Sequence, residues 1–139
     1  MKIKGNVVVL TNGKLDTKSA KTAHGLIRGS KRFNVVAVID SSFTNKFVHI
    51  DKNGKIDLLD KKSDIPIFND MTSFLESSVN VDFCIIGVAS AGGLLPDEMR
   101  EDVILSLKNN ISIINGLHSI LNEDEELIKV SRQNNTKIY

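Results

Sequence analysis

A chain of 139 residues, 41% of them apolar, is long enough for one domain with a buried core and too apolar for wholesale disorder. Eighteen Lys and Arg against seventeen Asp and Glu leave a formal net charge of +1, which argues against nucleic-acid binding and leaves room for a local cationic pocket. Aromatic residues are 5% and Trp is absent, so the core must be built mainly from Ile, Val and Leu, the filling of a parallel sheet covered on both faces.

Asn6-Val7-Val8-Val9-Leu10 is apolar at successive positions, as in a strand buried on both sides, and Thr11-Asn12-Gly13 closes it. Residues 17–28 read as a helix ending at Gly29, with Ala20, Ala23 and Ile27 as its inner stripe. Asn34-Val35-Val36-Ala37-Val38-Ile39 is a second buried strand, ending in Asp40-Ser41-Ser42. The turn signal Asp51-Lys52-Asn53-Gly54 separates Phe47-Val48-His49-Ile50 from Lys55-Ile56-Asp57-Leu58-Leu59, which predicts a β-hairpin excursion. Ile65-Pro66-Ile67-Phe68 is a short strand whose proline suits a strand start or an edge.

Asn69 or Asp70 can cap a short helix reaching residue 78. Residues 81–89 form the most apolar strand, expected at the centre of the sheet. Pro96 is expected at the first position of a helix with Asp97 and Glu98 in its first turn and Met99, Val103 and Leu107 on its inner stripe. Residues 111–114 read as a strand, Asn122 with Glu125 as a capping pair for a last helix, and residues 136–139 as the start of one more strand.

This alternation predicts a single α/β domain over residues 1–139. It is Rossmann-like and doubly wound, a mainly parallel sheet of about six strands with helices on both faces. The chain stopping on a strand-like segment leads us to expect that more protein follows. No apolar run approaches the ~20 residues of a membrane span. The start, Met1-Lys2-Ile3-Lys4, lacks the apolar region of a secretory signal, so a cytoplasmic protein is expected.

Ligands of open α/β sheets bind beyond the carboxyl ends of the strands. Four loops fall there. The first contains Gly13, Lys18, Ser19, Lys21 and Thr22, and it leads into a helix N-terminus that favours an anion. It is neither the G-x-G-x-x-G fingerprint nor a Walker A loop, so a helix cap with solvated lysines is the alternative. Asp40 ends the second strand, where an acid can accept hydrogen bonds from a ribose or, alternatively, close an Asx turn.

Gly87-Val88-Ala89-Ser90-Ala91-Gly92-Gly93-Leu94-Leu95-Pro96 is rich in small residues. Ser90, Gly92 and Gly93 there would let a ligand approach the backbone, or would serve tight packing. Asn115-Gly116-Leu117-His118 puts His118 at the same sheet edge, a candidate catalytic residue or a structural one. His24 reads as a packing or capping residue, and His49 lies in the hairpin excursion. Cys84, inside an apolar run, reads as a small buried hydrophobe. Three scattered histidines and one cysteine give no metal spacing, and no metal is expected.

These loop segments, with Lys18 to Arg28, Val36-Ala37-Val38-Ile39-Asp40-Ser41 and Ile65-Pro66-Ile67, resemble the N-terminal domain of the bacterial and archaeal family known as domain of unknown function 1611. The A-G-G-x-L-P and G-L-H elements are the most specific. Members of that family include D-glutamate N-acetyltransferases. In them a Rossmann-like domain precedes a C-terminal domain resembling a P-loop fold, which this sequence does not contain. The resemblance therefore implies acetyl transfer by the two domains together, and not by this segment alone. The layout from Ile65 onward is also similar to CoA-binding Rossmann domains, which by analogy implies CoA or acetyl-CoA as the cofactor. The resulting expectation is a binding domain of an acyltransferase-type protein that contacts CoA, a nucleotide or a small carboxylate. A nicotinamide-dependent oxidoreductase fragment and a structural or dimerising domain are the alternatives. The expected partners are a small anionic molecule, the second domain and, compatibly, a second copy of the chain; nucleic acid and membrane are not expected.

Overall fold

The apolar runs become the centre of one sheet in the computed structural model, which describes residues 3–88, 95–115 and 124–139. The strands are β1 (Gly5–Leu10), β2 (Phe33–Ile39), β3 (Phe47–Ile50), β4 (Ile56–Leu59), β5 (Ile65–Phe68), β6 (Phe83–Ile86) and β7 (Ser112–Ile114). The helices are α1 (Lys21–Arg28), α2 (Met71–Glu76), α3 (Asp97–Lys108) and α4 (Glu125–Gln133), with a 3-10 turn at Lys18–Ala20 leading into α1.

The sheet order is β4-β3-β5-β2-β1-β6-β7. The parallel strands alone run β5-β2-β1-β6-β7, that is third, second, first, fourth and fifth, the doubly wound arrangement with its switch between β1 and β6. Val7, Val8 and Val9 of β1, inaccessible to solvent, form its middle. Ile138 adds an isolated parallel bridge to Ile113 where the last strand was expected.

Among the described residues the expected mainly parallel sheet of about six strands has seven, because the hairpin joins it. Strand β3 pairs antiparallel with both β4 and β5, which makes the Asp51-to-Gly54 excursion the outer edge. The hairpin moves the Pro66 strand inward. Pro66 sits one residue into β5, between β3 and β2, so the strand-start reading of this proline holds and the edge reading does not.

Side chains of a strand alternate between faces, and this separates the helices. Val9 lies beneath Ala23 of α1, because a Cβ built on Gly87 would meet both. Cys84 is paired with Val8, hence on the opposite face, where its thiol is hydrogen-bonded to Ser106 of α3. Helices α2, α3 and α4 share that face, and α1 occupies the other. A second apolar cluster, Leu15, Ile27, Val38, Val48, Ile65 and Ile67, joins α1 to the hairpin. Burial pushes the Cys84 thiol up to about 12, so it remains a neutral packing group.

Helix ends differ from expectation by a residue or two. Pro96 is the residue before α3 and not its first member. Asp124, not Asn122, caps α4: its side chain accepts from Leu127 N at 3.2 Å, while Asn122 lies outside the described residues. The same carboxylate receives both terminal nitrogens of Arg100, at 2.8 and 3.0 Å, and Arg100 Nε donates to Glu126 at 2.8 Å. One aspartate thus caps α4 and ties it to α3.

The Arg100 guanidinium holds the Asp124 carboxyl below its ordinary value of 3.8. A carboxyl lowered on folding contributes stability that is present above the unfolded value and lost as pH falls through the folded one. Asp124→Asn should therefore lower stability at pH 7 by about 1–2 kcal/mol. In thermal melts the gap to the parent should close on acidification below the unfolded carboxylate value.

Candidate functional site

Strands β1 and β2 end side by side, and Asp40 fastens their ends. Thr11 and Asp40 are both buried. Thr11 Oγ1 donates to Asp40 Oδ2 at 2.6 Å, Leu15 N donates to the same oxygen at 3.0 Å, and Ser42 N donates to Oδ1 at 2.9 Å. The last bond is the Asx turn anticipated as the alternative to ribose binding. A carboxylate offers about four acceptor positions, so one remains for a ligand. Asn12 and Gly13 turn the chain away from β1 with φ of 47° and 74°. A side chain at Gly13 would crowd Ser42 Oγ, 3.1 Å from its Cβ position, so this turn needs glycine both for its backbone and for space.

The loop that follows uses up most of its own amides. Lys14 N donates to Thr11 O, Leu15 N to Asp40, Thr17 N to Lys14 O, Ser19 N to Thr17 Oγ1 and Ala20 N to Thr17 O. Ala23 N, in the first turn of α1, donates to Gly87 O at 3.2 Å. A phosphate cradle made of free backbone amides is therefore not what this loop presents among the described residues. It presents side chains.

Gly87 explains how closely α1 can sit. A Cβ there would fall 2.5 Å from Val9 Cγ1 and 3.0 Å from the Ala23 Cβ, so any side chain would push α1 off the sheet. Ligand approach and tight packing were both open for the loop that Gly87 begins, and at Gly87 itself the observed role is packing.

The sequence-predicted residues divide between two concavities. A crevice of ≈ 270 Å³ lies at the carboxyl ends of β1, β2 and β5 on the α2–α3 face, and Asn12, Asp40, Ser41, Asn69 and Thr72 line it. It is acidic. Asp70, Glu98, Glu101 and Asp102 border it together with Asp40. Burial, reinforced by the charges of Asp70 and Glu101, pushes the Asp102 carboxyl up, against the pull of Met71 N, which donates to it at 3.0 Å. Asp70 is held down mainly by the backbone N–H of Ser73, which it receives as the cap of α2.

Lys18 and Lys21 instead line a groove of ≈ 480 Å³ along the outer flank of α1, with Asp16, Thr17, His24 and Arg28. Ser19 and Thr22 are exposed near it. Gly13 and Asp40 are brought together at the β1–β2 edge. Ser90, Gly92, Gly93 and His118 lie outside the described residues. Sequence reading missed the acids of α3, although Glu98, Glu101 and Asp102 recur at the spacing of one helical face. It also missed Arg28, which only the fold turns toward the hairpin.

His24 donates from Nε2 to Leu15 O at 2.5 Å, which ties α1 to the loop before it. His49 Nδ1 lies 3.1 Å from Ser63 Oγ. Among the described residues no group of three His, Cys, Asp or Glu is arranged to hold a metal ion, and no helix is long and apolar enough to cross a membrane.

The sequence matches, over residues 51–139, the family described as a domain of unknown function (DUF1611_N), a Rossmann-like domain. Among solved structures, it is similar to a DUF1611 family protein from Anabaena variabilis, with a TM-score of 0.78 and 24% identity, over 98% of this chain and 36% of that one. A putative dehydrogenase from Bordetella bronchiseptica gives a TM-score of 0.61 at 18% identity, over 98% of this chain and 31% of that one. Homoserine dehydrogenase from S. aureus gives 0.51 at 12% identity, over 97% and 32%. The chain thus spans about a third of each of these proteins, and identities this low carry the fold alone. No curated protein matches the sequence.

Two outcomes follow from the geometry at the sheet edge. Asp40→Asn replaces an acceptor oxygen by a donor or turns one away, so Thr11 or Leu15 loses a buried partner. Urea unfolding should show a loss of about 2–3 kcal/mol. Asp102→Asn works in the opposite sense. A carboxyl raised on folding is penalised when ionised, so the penalty exists above its folded pKa and vanishes below the unfolded value of 3.8. The variant should melt higher than the parent at pH 7 and together with it in strong acid.

Proposed function

The chain belongs to the DUF1611_N family of Rossmann-like domains, and from that premise we propose that it is the ligand-binding domain of a two-domain acyltransferase-type protein. The domain would contact CoA, a nucleotide or a small carboxylate substrate, and its crevice would take the uncharged part of such a ligand. The observation that carries this reading is the place of the crevice. It lies where doubly wound sheets receive their ligands, at the carboxyl ends of β1, β2 and β5, and polar side chains of three separate segments converge there: Asn12, Ser41, and Asn69 with Thr72.

The electrostatics select which part of such a ligand fits. Five carboxylates repel phosphates and accept hydrogen bonds from hydroxyl and amino groups. A nucleoside moiety therefore suits the crevice better than its phosphates do. Ser90, Gly92 and Gly93 are the groups we assign to close backbone approach, and His118 is the one we assign to proton transfer. Acyl transfer itself would need the second domain.

A nicotinamide nucleotide is the second reading, favoured by the position of Asp40 at the end of β2, where an acid can receive a ribose hydroxyl. The absence of the glycine fingerprint and the internal bonds of Asp40 weigh against it.

Isothermal titration of the chain with acetyl-CoA, CoA, NAD and ATP separates these readings. Binding of CoA or ATP without NAD supports the first, and NAD alone the second. Heat with none of the four leaves a structural or dimerising domain. Gly93→Val should abolish the heat while leaving the melting temperature unchanged, and undiminished binding would remove that loop from the site.

A further inference from the structure

We propose a separate anion site on the outer flank of α1, facing the β3–β4 hairpin, for a small phosphate-bearing ligand. Two adjoining concavities, ≈ 480 and ≈ 280 Å³, share Asp16, His24 and Arg28. Lys18 and Lys21 line one of them, and Lys55 of the hairpin lines the other. Four permanent cations therefore line these adjoining concavities, whose lining contains one acid, Asp16.

These cations are not used up by the fold. Among the described residues neither Lys18 nor Lys21 has an ion pair. Arg28 Nε donates to Gly54 O at 2.9 Å, which anchors the guanidinium across the groove and leaves its two terminal nitrogens for another acceptor. Lys55 Nζ keeps a loose contact with Asp57 at 3.8 Å. His24 is held by Leu15 O, so its ring forms a fixed wall between the two concavities.

Folding does not account for the composition of this helix either. Helices α3 and α4 follow the dipole, with acids in the first turn and a base in the last. Helix α1 has no acid in its first turn, begins with Lys21 and follows directly on Lys18, so cations sit at its positive end. Gly25 is a second anomaly. It lies in the helix interior, on the same stripe as Lys21 and Arg28. A Cβ there would meet nothing within 4 Å, and its φ is not positive. Neither packing nor a turn calls for glycine, which is disfavoured in a helix relative to alanine. Unpaired cations and an unneeded glycine on one stripe are local choices against stability, and they make sense where an anion neutralises the charges and approaches the helix backbone between Lys21 and Arg28.

The groove and the acidic crevice lie on opposite faces of the sheet, so the proposal stands whatever the crevice binds. Pyrophosphate is the probe, titrated calorimetrically into the whole chain at low salt. Lys18→Gln/Lys21→Gln should weaken binding by about tenfold or more without lowering the melting temperature. Gly25→Leu should raise the melting temperature and still weaken binding by about tenfold, a combination that a structural role cannot produce. Lys108→Gln/Lys129→Gln removes equal charge from α3 and α4 and should stay within about twofold of the parent. Absence of binding by the parent overturns the proposal. So does retained affinity in either α1 variant, or an equal loss in the control, which would reduce the effect to net charge.

Discussion

Asp40 is the joint on which the carboxyl edge of this sheet is built. Its carboxylate ties Thr11 at the end of β1, Leu15 in the following loop and Ser42 in the next turn, and its own N–H donates to Phe68 O of β5 at 2.9 Å. Three parallel strands and the first loop are thereby fixed by one buried residue, through its side chain and its backbone N–H. The bonded donors are neutral, so they solvate the carboxylate without pairing it to a cation. The consequence for function is direct. A carboxylate that holds the crevice together can offer a ligand little, and the groups free to contact one are its neighbours Asn12, Ser41 and Thr72, whereas Asn69 accepts from Thr44 Oγ1 and donates to Asp70, each at 3.2 Å.

With the edge held in this way, the two faces of the sheet acquire opposite electrostatic character. Gly87 lets α1 settle onto Val9, and the amide of Ala23 is taken by the Gly87 carbonyl. The start of α1 is thus committed to the sheet, in contrast to dinucleotide-binding domains, where that helix end receives a pyrophosphate. Cations remain on the outer flank of α1, and carboxylates from α2 and α3 gather on the opposite face. A near-neutral net charge conceals this separation, because composition sums what the fold keeps apart.

Much of the fold was legible because its signals are local. Runs such as Val7-Val8-Val9 read as strands buried on both faces, and the Asp51-to-Gly54 turn announced its hairpin. What the sequence hid depends on partners far away in the chain. Nothing near Pro66 states that Phe47 will lie beside it, so the edge reading of an inner strand stayed open beside the strand-start reading. Asn122, Glu123, Asp124 and Glu125 are all polar and acid-rich, and only Arg100, more than twenty residues earlier, selects Asp124 as the cap.

Of the candidate site, the neighbourhood of Gly13 and Asp40 was legible in the sequence, and the separation of its charges was not. Gly13 and Asp40 were correctly expected at one edge, yet Lys18 and Lys21, near Gly13 in sequence, turn onto the other face of the sheet. Helical phase explains this: Ala20, Ala23 and Ile27 are drawn to the sheet, and the intervening positions rotate outward. The same phase on α3 buries Met99, Val103 and Leu107 and leaves Glu98, Glu101 and Asp102 along the rim of the crevice. Burying each helix's apolar stripe therefore also fixes where its charges go, and the sign of each concavity follows from the packing of the helix beside it. A ligand that carries both hydroxyls and phosphates would meet these two environments on different faces. Within the crevice alone only its uncharged part is favoured, and that constraint comes from the core before any binding residue is chosen.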